Sequence, residues 1–284
     1  MIHDIEPLKL NNEYLPKKIM EKDCLLIVNE SEILIGQKDD EIYFPKLEDM
    51  NKKYFDIDNN SIYLFEIDGV NFFLLININV EEEEKWKYET ILMLRDANPM
   101  WKVFAATLGG QLNRWYKNHK FCGKCGSEFD LSNTERALIC PTCGVVIYPT
   151  ISPSVIVAIT KGDEILLTKY AFGAYKRYAL VAGYTEVGES LEQTVEREVM
   201  EEVGLKVKNI TYYKTQPWPF SDTLLIGYFA EVDGDDTVTL QESELSEATW
   251  FKQDEIPENP SKISLTSEMI DLFRNNMKVE NIAK

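Results

Sequence analysis

Histidine is nearly missing from this chain, with His3 and His119 the only two among 284 residues. With so few histidines, catalysis must rest mainly on carboxylates or lysines. Basic residues are also few: 30 Lys+Arg stand against 48 Asp+Glu, a net charge of −18. Such an acid excess argues against coating nucleic acid by bulk charge, while leaving room for a local basic site. No run approaches the ~18 apolar residues of a membrane helix. The opening MIHDIEPLKLNNEYL has no apolar signal core, so a cytoplasmic setting is expected. What is there, 44% hydrophobic and 27% charged residues, is globular composition. The length suggests about two domains.

Cysteine is scarce as well, five residues, yet four of them are paired. Cys122 and Cys125 form one C-x2-C turn, and Cys140 and Cys143 a second. Gly126 and Gly144 follow the pairs and free the backbone to fold back, so both sulfurs of a pair can face one ion. Four thiolates suit tetrahedral zinc. Two disulfides or unpaired thiols are the alternatives, and a chain without a secretion signal disfavours disulfides. With four protein ligands the site is closed, hence structural, folding a segment too small to bury a core. Cys24, in the apolar run Cys24–Val28, reads as a small buried hydrophobe. His119, just before the first pair, reads as a surface or neighbouring residue and not a fifth ligand.

Residues 1–95 alternate apolar runs with polar turns and predict a small β-rich domain. Ser61–Ile67, Asp68-Gly69 and Val70–Ile78 predict a hairpin. Glu81–Glu84 reads as a solvated loop or helix start. Trp101, Phe104, Ala105, Leu108, Leu112, Trp115 and Tyr116 fall at helical spacing, so 96–118 is expected to be a connecting helix. The cysteine module follows at 119–150, and a last domain at 151–284. That domain opens on two strand-like runs, Ser154–Thr160 and Glu164–Tyr170. No internal repeat or low-complexity segment is present.

Gly183 to Leu205 reads GYTEVGESLEQTVEREVMEEVGL. Ser190 with Gln193 is a capping-box signature, and Gly204 a helix stop. Leu191, Val195, Val199 and Val203 mark a buried stripe from about 20° to about 140° on a helical wheel that has Glu198 at 0°. Glu202 then falls near ~40°, inside the stripe's edge, Glu201 near ~300° and Arg197 near ~260°, pointing away. Carboxylates at a stripe edge are costly unless something positive pairs with them. Several glutamates at one helix end, with Glu189 just before it, suit a hard cation such as Mg²⁺ or Mn²⁺.

The same stretch resembles the Nudix box, G-x5-E-x7-R-E-U-x-E-E-x-G-U with U a bulky aliphatic. Gly183, Glu189, Arg197, Glu198, Val199, Glu201, Glu202, Gly204 and Leu205 fill every fixed slot. The resemblance implies an α+β chain whose last domain is a Nudix α/β/α sandwich with a mixed sheet, preceded by a zinc ribbon and the β-rich domain. It implies metal ligation by Glu198 and Glu202 with Glu201 close by. Arg197 would hold the acids in place and Glu189 would support or ligate.

With the cysteine pairs upstream, Gln216-Pro-Trp-Pro-Phe220 resembles the S-Q-P-W-P-F-P-x-S array of NADH pyrophosphatases. By itself it reads as a stiff loop holding an aromatic. Thr215, Ser221 and Thr223 depart from that array. The likeness covers about 115–284 and implies further roles. Tyr184 would stack on nicotinamide, Gln216 would bond nucleotide or phosphate, and Trp218 and Phe220 would line the substrate site. Tyr148 would contact nucleotide across a homodimer, Glu244 would complete the metal and catalytic site, and Thr266 would stand where a small pocket residue is expected. The implied reaction is hydrolysis of the diphosphate of NAD(H) to AMP and nicotinamide mononucleotide, and the resemblance extends the implied substrates to NAD-capped RNA. Lys124, Lys169, Lys176 and Arg177 offer positive charge for RNA, although scattered surface residues explain them as well. The rivals are a Nudix hydrolase of another substrate such as ADP-ribose, and a non-catalytic NAD- or nucleic-acid-binding module.

Overall fold

The continuous apolar run Val155–Ile159 within 152–161 makes a strand buried on both faces, and the remainder of the last domain is arranged around it. In the computed structural model, residues 1–50, 56–173, 177–258 and 261–275 are described. The chain divides into two compact units, one of Met1, 151–218 and 223–284, the other of 2–150 and 219–222. Among the described residues no helix is long and apolar enough to cross a membrane.

The N-terminal unit holds strands β1 (Leu10–Asn11), β2 (Cys24–Leu26), β3 (Val28–Asn29), β4 (Glu32–Lys38) and β5 (Glu41–Tyr43), then the short helix α1 (Leu47–Met50). Strands β6 (Ser61–Ile67), β7 (Val70–Leu75) and β8 (Lys87–Thr90) follow. They form two four-stranded sheets, ordered β1-β6-β7-β2 and β3-β4-β5 with β8 on β4. The hairpin turns at Asp68-Gly69, both at positive φ as its reversal requires. Its second strand ends at Leu75, short of Ile78. Glu81–Glu84 is an exposed loop. Helix α2 (Met100–Asn118) buries Val103, Phe104, Ala105, Ala106, Leu112 and Trp115. Three two-residue strands complete the cysteine module, β9 (Asp130–Leu131), β10 (Leu138–Ile139) and β11 (Val146–Ile147).

The C-terminal unit comprises β12 (Ser152–Lys161), β13 (Glu164–Tyr170), β14 (Val181–Tyr184), α3 (Leu191–Val203), β15 (Val207–Trp218), β16 (Thr223–Val232), β17 (Leu245–Lys252) and α4 (Leu265–Arg274). One mixed sheet runs β15-β16-β12-β13-β17, with β14 also on β12. Strand β12 pairs parallel with β16 and antiparallel with β13 and β14. Its odd residues Val155, Val157 and Ile159 pack with Val195, Val199 and Val203 of α3. Its even residues Ile156 and Ala158 pack with Leu265, Met269 and Ile270 of α4. Helices therefore cover both faces of the sheet, as the α/β/α expectation requires.

Helix α3 begins and ends where its sequence signals lie. The Ser190 Oγ accepts from the Gln193 N–H and the Gln193 side chain accepts from the Ser190 N–H, while Gly204 closes the helix in the left-handed region. Ser190→Ala removes one side of this box. It is expected to lower stability by about 1 kcal/mol in urea-unfolding measurements, leaving the fold intact.

Candidate active site and zinc ribbon

The register of β14 on β12 sets Gly183 opposite Val155 and Tyr184 opposite Ser154, which brings the end of β14 against α3. A Cβ on Gly183 would overlap the Glu198 carboxylate. The box glycine is therefore a gap that the acid fills, and not a turn residue.

Four carboxylates converge with one guanidinium. Arg197 donates from Nε and Nη2 to the two oxygens of Glu189, at 2.6 and 2.9 Å. Its Nη1 donates to Glu198 Oε1 at 2.7 Å and to Glu201 Oε2 at 3.0 Å, and Nη2 also reaches the Tyr184 carbonyl at 2.9 Å. The wheel position of Arg197 suggested that it points away from the acids. Its long side chain instead curls back over the helix end to all three. Glu189 also accepts from the Glu186 N–H and the Thr194 hydroxyl. Hydrogen bonding to Arg197 holds its carboxyl down at about 2. With both oxygens engaged, Glu189 anchors Arg197, the supporting role of the two expected of it.

Glu202 is different. It is 2% exposed, and Glu198 is 9% exposed. Burial raises both carboxyls, Glu202 to about 8, and the neighbouring acids Glu198, Glu244 and Glu201 add to the effect. Glu202 Oε1 accepts only a long 3.4 Å bond from the Ala182 N–H, and Oε2 has no partner among the described residues. A buried, unpartnered carboxylate oxygen calls for a cation. Glu201 is half-exposed and Glu244 is exposed on the approach to β17. The Glu244 side chain accepts from Gln241 Nε2 at 3.2 Å, and its carbonyl accepts from the Ala171 N–H. An all-oxygen donor set with one orphaned buried atom fits a hard divalent cation.

Tyr184 carries an exposed ring, 53% accessible, with its hydroxyl 3.3 Å from Thr223 Oγ1. Gln216 departs from expectation. It is fully buried, donating from Nε2 to the Ile263 carbonyl at 2.7 Å and accepting from the Leu265 N–H at 2.6 Å. Both ends of its amide tie β15 to the start of α4, which corrects its reading as a substrate ligand. The expected stiff loop is also partly strand: Gln216, Pro217 and Trp218 pair with Leu225, Leu224 and Thr223. Pro217 is tolerated there because β15 is the sheet's edge. Trp218 packs against the core beneath α4, and Thr266 lies half-buried in the first turn of that helix.

Pro219–Asp222 belong to the N-terminal unit. There the Arg95 guanidinium lies 5.0 Å from the Phe220 ring centre. Arg114 on α2 donates to the Pro219 carbonyl at 2.6 Å and to Asp222 at 2.5 Å. Neither arginine stood out in the sequence. The signal available was a single cation in a helical segment, which is too common to single out.

The four cysteine sulfurs lie within 4.8 Å of one another, close enough to share one ion. Cys122 and Cys143 sulfurs are 3.6 Å apart, Cys125 and Cys140 3.4 Å. The Ser127 N–H holds the Cys125 thiol down at about 6. Cys143 is pushed up to about 12: the Val145 N–H lowers it, but burial and the three neighbouring sulfurs prevail. Four such thiols ionise together only around a cation, and the cluster fits structural zinc. His119 lies apart from the sulfurs' bonding, its Nδ1 2.8 Å from the Trp115 carbonyl. Tyr148 is exposed, its hydroxyl donating to Glu135 at 3.1 Å. Cys24 sits largely buried in β2, where burial pushes its thiol up to about 11. Lys169 pairs with Glu247 at 2.8 Å, Lys124 and Arg177 are exposed, and Lys176 lies outside the described residues.

The last domain and the cysteine module are each similar to known proteins. Residues 150–273 match the NUDIX domain, and residues 117–148 match the NADH pyrophosphatase zinc ribbon domain. The NAD-capped RNA hydrolase NudC of Actinobacillus succinogenes is 36% identical over 265 residues, covering 89% of this chain and 96% of that protein. The protein of that description from Escherichia coli O9:H4 (strain HS) is 44% identical over 163 residues, 57% of this chain and 63% of its own length. A crystal structure of a NUDIX hydrolase from Nitrosomonas europaea covers 55% of this chain and 92% of its own, at 25% identity and a TM-score of 0.48. The chain belongs to the Nudix hydrolases that carry a zinc ribbon, the family of these NudC relatives.

Gly183→Ala tests the site's packing. Displacing Glu198 by even ~1 Å is expected to lower kcat about 100-fold with the unfolding midpoint little changed, read by steady-state kinetics beside circular dichroism.

Proposed function

We propose that the chain hydrolyses the diphosphate of NAD(H), giving AMP and nicotinamide mononucleotide, and that it acts on the same linkage at the 5′ end of NAD-capped RNA. The observation carrying this reading is the buried pair Glu198 and Glu202, beside Glu201 and Glu244, in a chain that aligns with nearly the whole of a NAD-capped RNA hydrolase.

Glu198 and Glu202, with Glu201 and Glu244 adjoining, would hold Mg²⁺ or Mn²⁺. When bound, such a cation supplies charge neutralisation for the diphosphate and activation of water. The chain's own residues do the rest. Arg197 keeps Glu198 and Glu201 in position and leaves Glu202 its unpartnered oxygen. Tyr184 offers its exposed ring as a stacking face for nicotinamide. Trp218 and Thr266 belong to the surroundings of the dinucleotide in this reading. Water attacks one phosphorus, the P–O–P bond breaks, and each product leaves with a phosphate. Two copies are part of the proposal, with exposed Tyr148 offered to nucleotide held by the other copy.

Turnover of NADH, NAD-capped RNA and ADP-ribose with Mg²⁺ or Mn²⁺ tests this. NADH or capped RNA is expected to yield nicotinamide mononucleotide, and Glu202→Gln to lower the rate by a factor of roughly 100 or more. Turnover of ADP-ribose alone would move the chain to another substrate class. Wild-type rates in Glu202→Gln would remove the site assignment.

A further inference from the structure

The N-terminal unit contains a cavity of about 460 Å³ that the reaction above does not use. It opens where the N-terminal strands, α2 and the zinc ribbon meet within that unit. Its size falls in the range of small-molecule sites. Rings and aliphatic side chains make up much of the lining, with Tyr88, Tyr116 and Phe129 among them. The Tyr88 hydroxyl donates to the Val80 carbonyl at 3.0 Å, which fixes that ring.

The polar groups are unusual for such a lining. Asn113, in the interior of α2, is 3% exposed, and its Nδ2 has no hydrogen-bond partner among the described residues. An orphaned buried amide is destabilising unless an occupant supplies an acceptor. Asn77 and Asn79 line the same cavity, and Asn77 holds a left-handed backbone at φ 58°. Lys117, His119 and Lys120 line it too, against one acid, Glu128, in a chain of net charge −18. Lys117 lies 3.5 Å from Glu30 and Lys120 lies 3.8 Å from Glu128, both largely exposed pairs that an anion can displace.

Each feature selects part of one ligand. Flat rings favour a planar heterocycle, amides suit its donor and acceptor edge, and lysines suit phosphate. A purely apolar occupant would leave the Asn113 amide unsatisfied. We propose that this cavity is a second nucleotide site, which takes a purine base carrying a 5′-phosphate, either free or within an RNA chain. It is independent of which diphosphate the carboxylate site cuts.

The test titrates the zinc-loaded full chain calorimetrically, without added divalent cation, against AMP and against a 5′-phosphorylated oligoadenylate. Two variants accompany it: Asn113→Leu, and Lys117→Glu combined with Lys120→Glu on the exposed rim. Saturable binding is expected, weakened by about tenfold or more in each variant. NADH turnover is expected to stay at the wild-type rate in both. Asn113→Leu is also expected to melt no lower than wild type, since it removes an unpaired polar group. AMP as the tighter ligand assigns the site to free nucleotide, and the oligonucleotide as the tighter ligand assigns it to RNA. No binding of either probe, or isotherms unchanged in both variants, overturns the proposal.

Discussion

Arg197 donates to Glu189, Glu198, Glu201 and the Tyr184 carbonyl, and the placement of the other site residues follows from that one guanidinium. Acids crowded at a helix end repel one another, and two of these are nearly out of water. A single cation on the helix cannot neutralise them all. It satisfies three, and Glu202, the most buried, is left with an oxygen that has no partner among the described residues. That unpaired oxygen lies where a divalent cation would be held.

That arrangement requires a rigid frame. Strand β12 joins parallel to β16 and antiparallel to β13 and β14, so its two faces commit α3 and α4 to opposite sides of the sheet. The capping box at Ser190 and the left-handed Gly204 fix where α3 begins and ends. With the helix phase set, Val195, Val199 and Val203 face the sheet and carry Glu198 and Glu202 to its edge, where Gly183 leaves space for a carboxylate. Adding a side chain at Gly183 would change the geometry of the acids without touching a charge.

Much of this was legible in the sequence because it depends on short-range regularity. The stripe in α3 and its end signals, the hairpin at Asp68-Gly69, and the paired cysteine turns each lie within a few residues of their cause. The wheel also gave the burial of Glu198 and Glu202 correctly. It failed for Arg197, because a wheel records where a side chain leaves the helix and not where a long one arrives. Gln216 failed differently. Its partners Ile263 and Leu265 lie far along the chain, and no local pattern announces that an amide in an edge strand turns inward. Arg95 and Arg114, which hold Phe220 and the turn after Pro219, were missed for the same reason.

The central claim is that the acids organised by Arg197 form a divalent-cation site completed by Glu202. Electron paramagnetic resonance titration of Mn²⁺ into the zinc-loaded protein tests it without reference to any substrate. The account predicts saturable loss of the free Mn²⁺ signal in the wild type, and affinity weakened by about 10-fold or more in Glu202→Gln, while Ser190→Ala binds as the wild type does. Equal Mn²⁺ affinity in Glu202→Gln and wild type would contradict it.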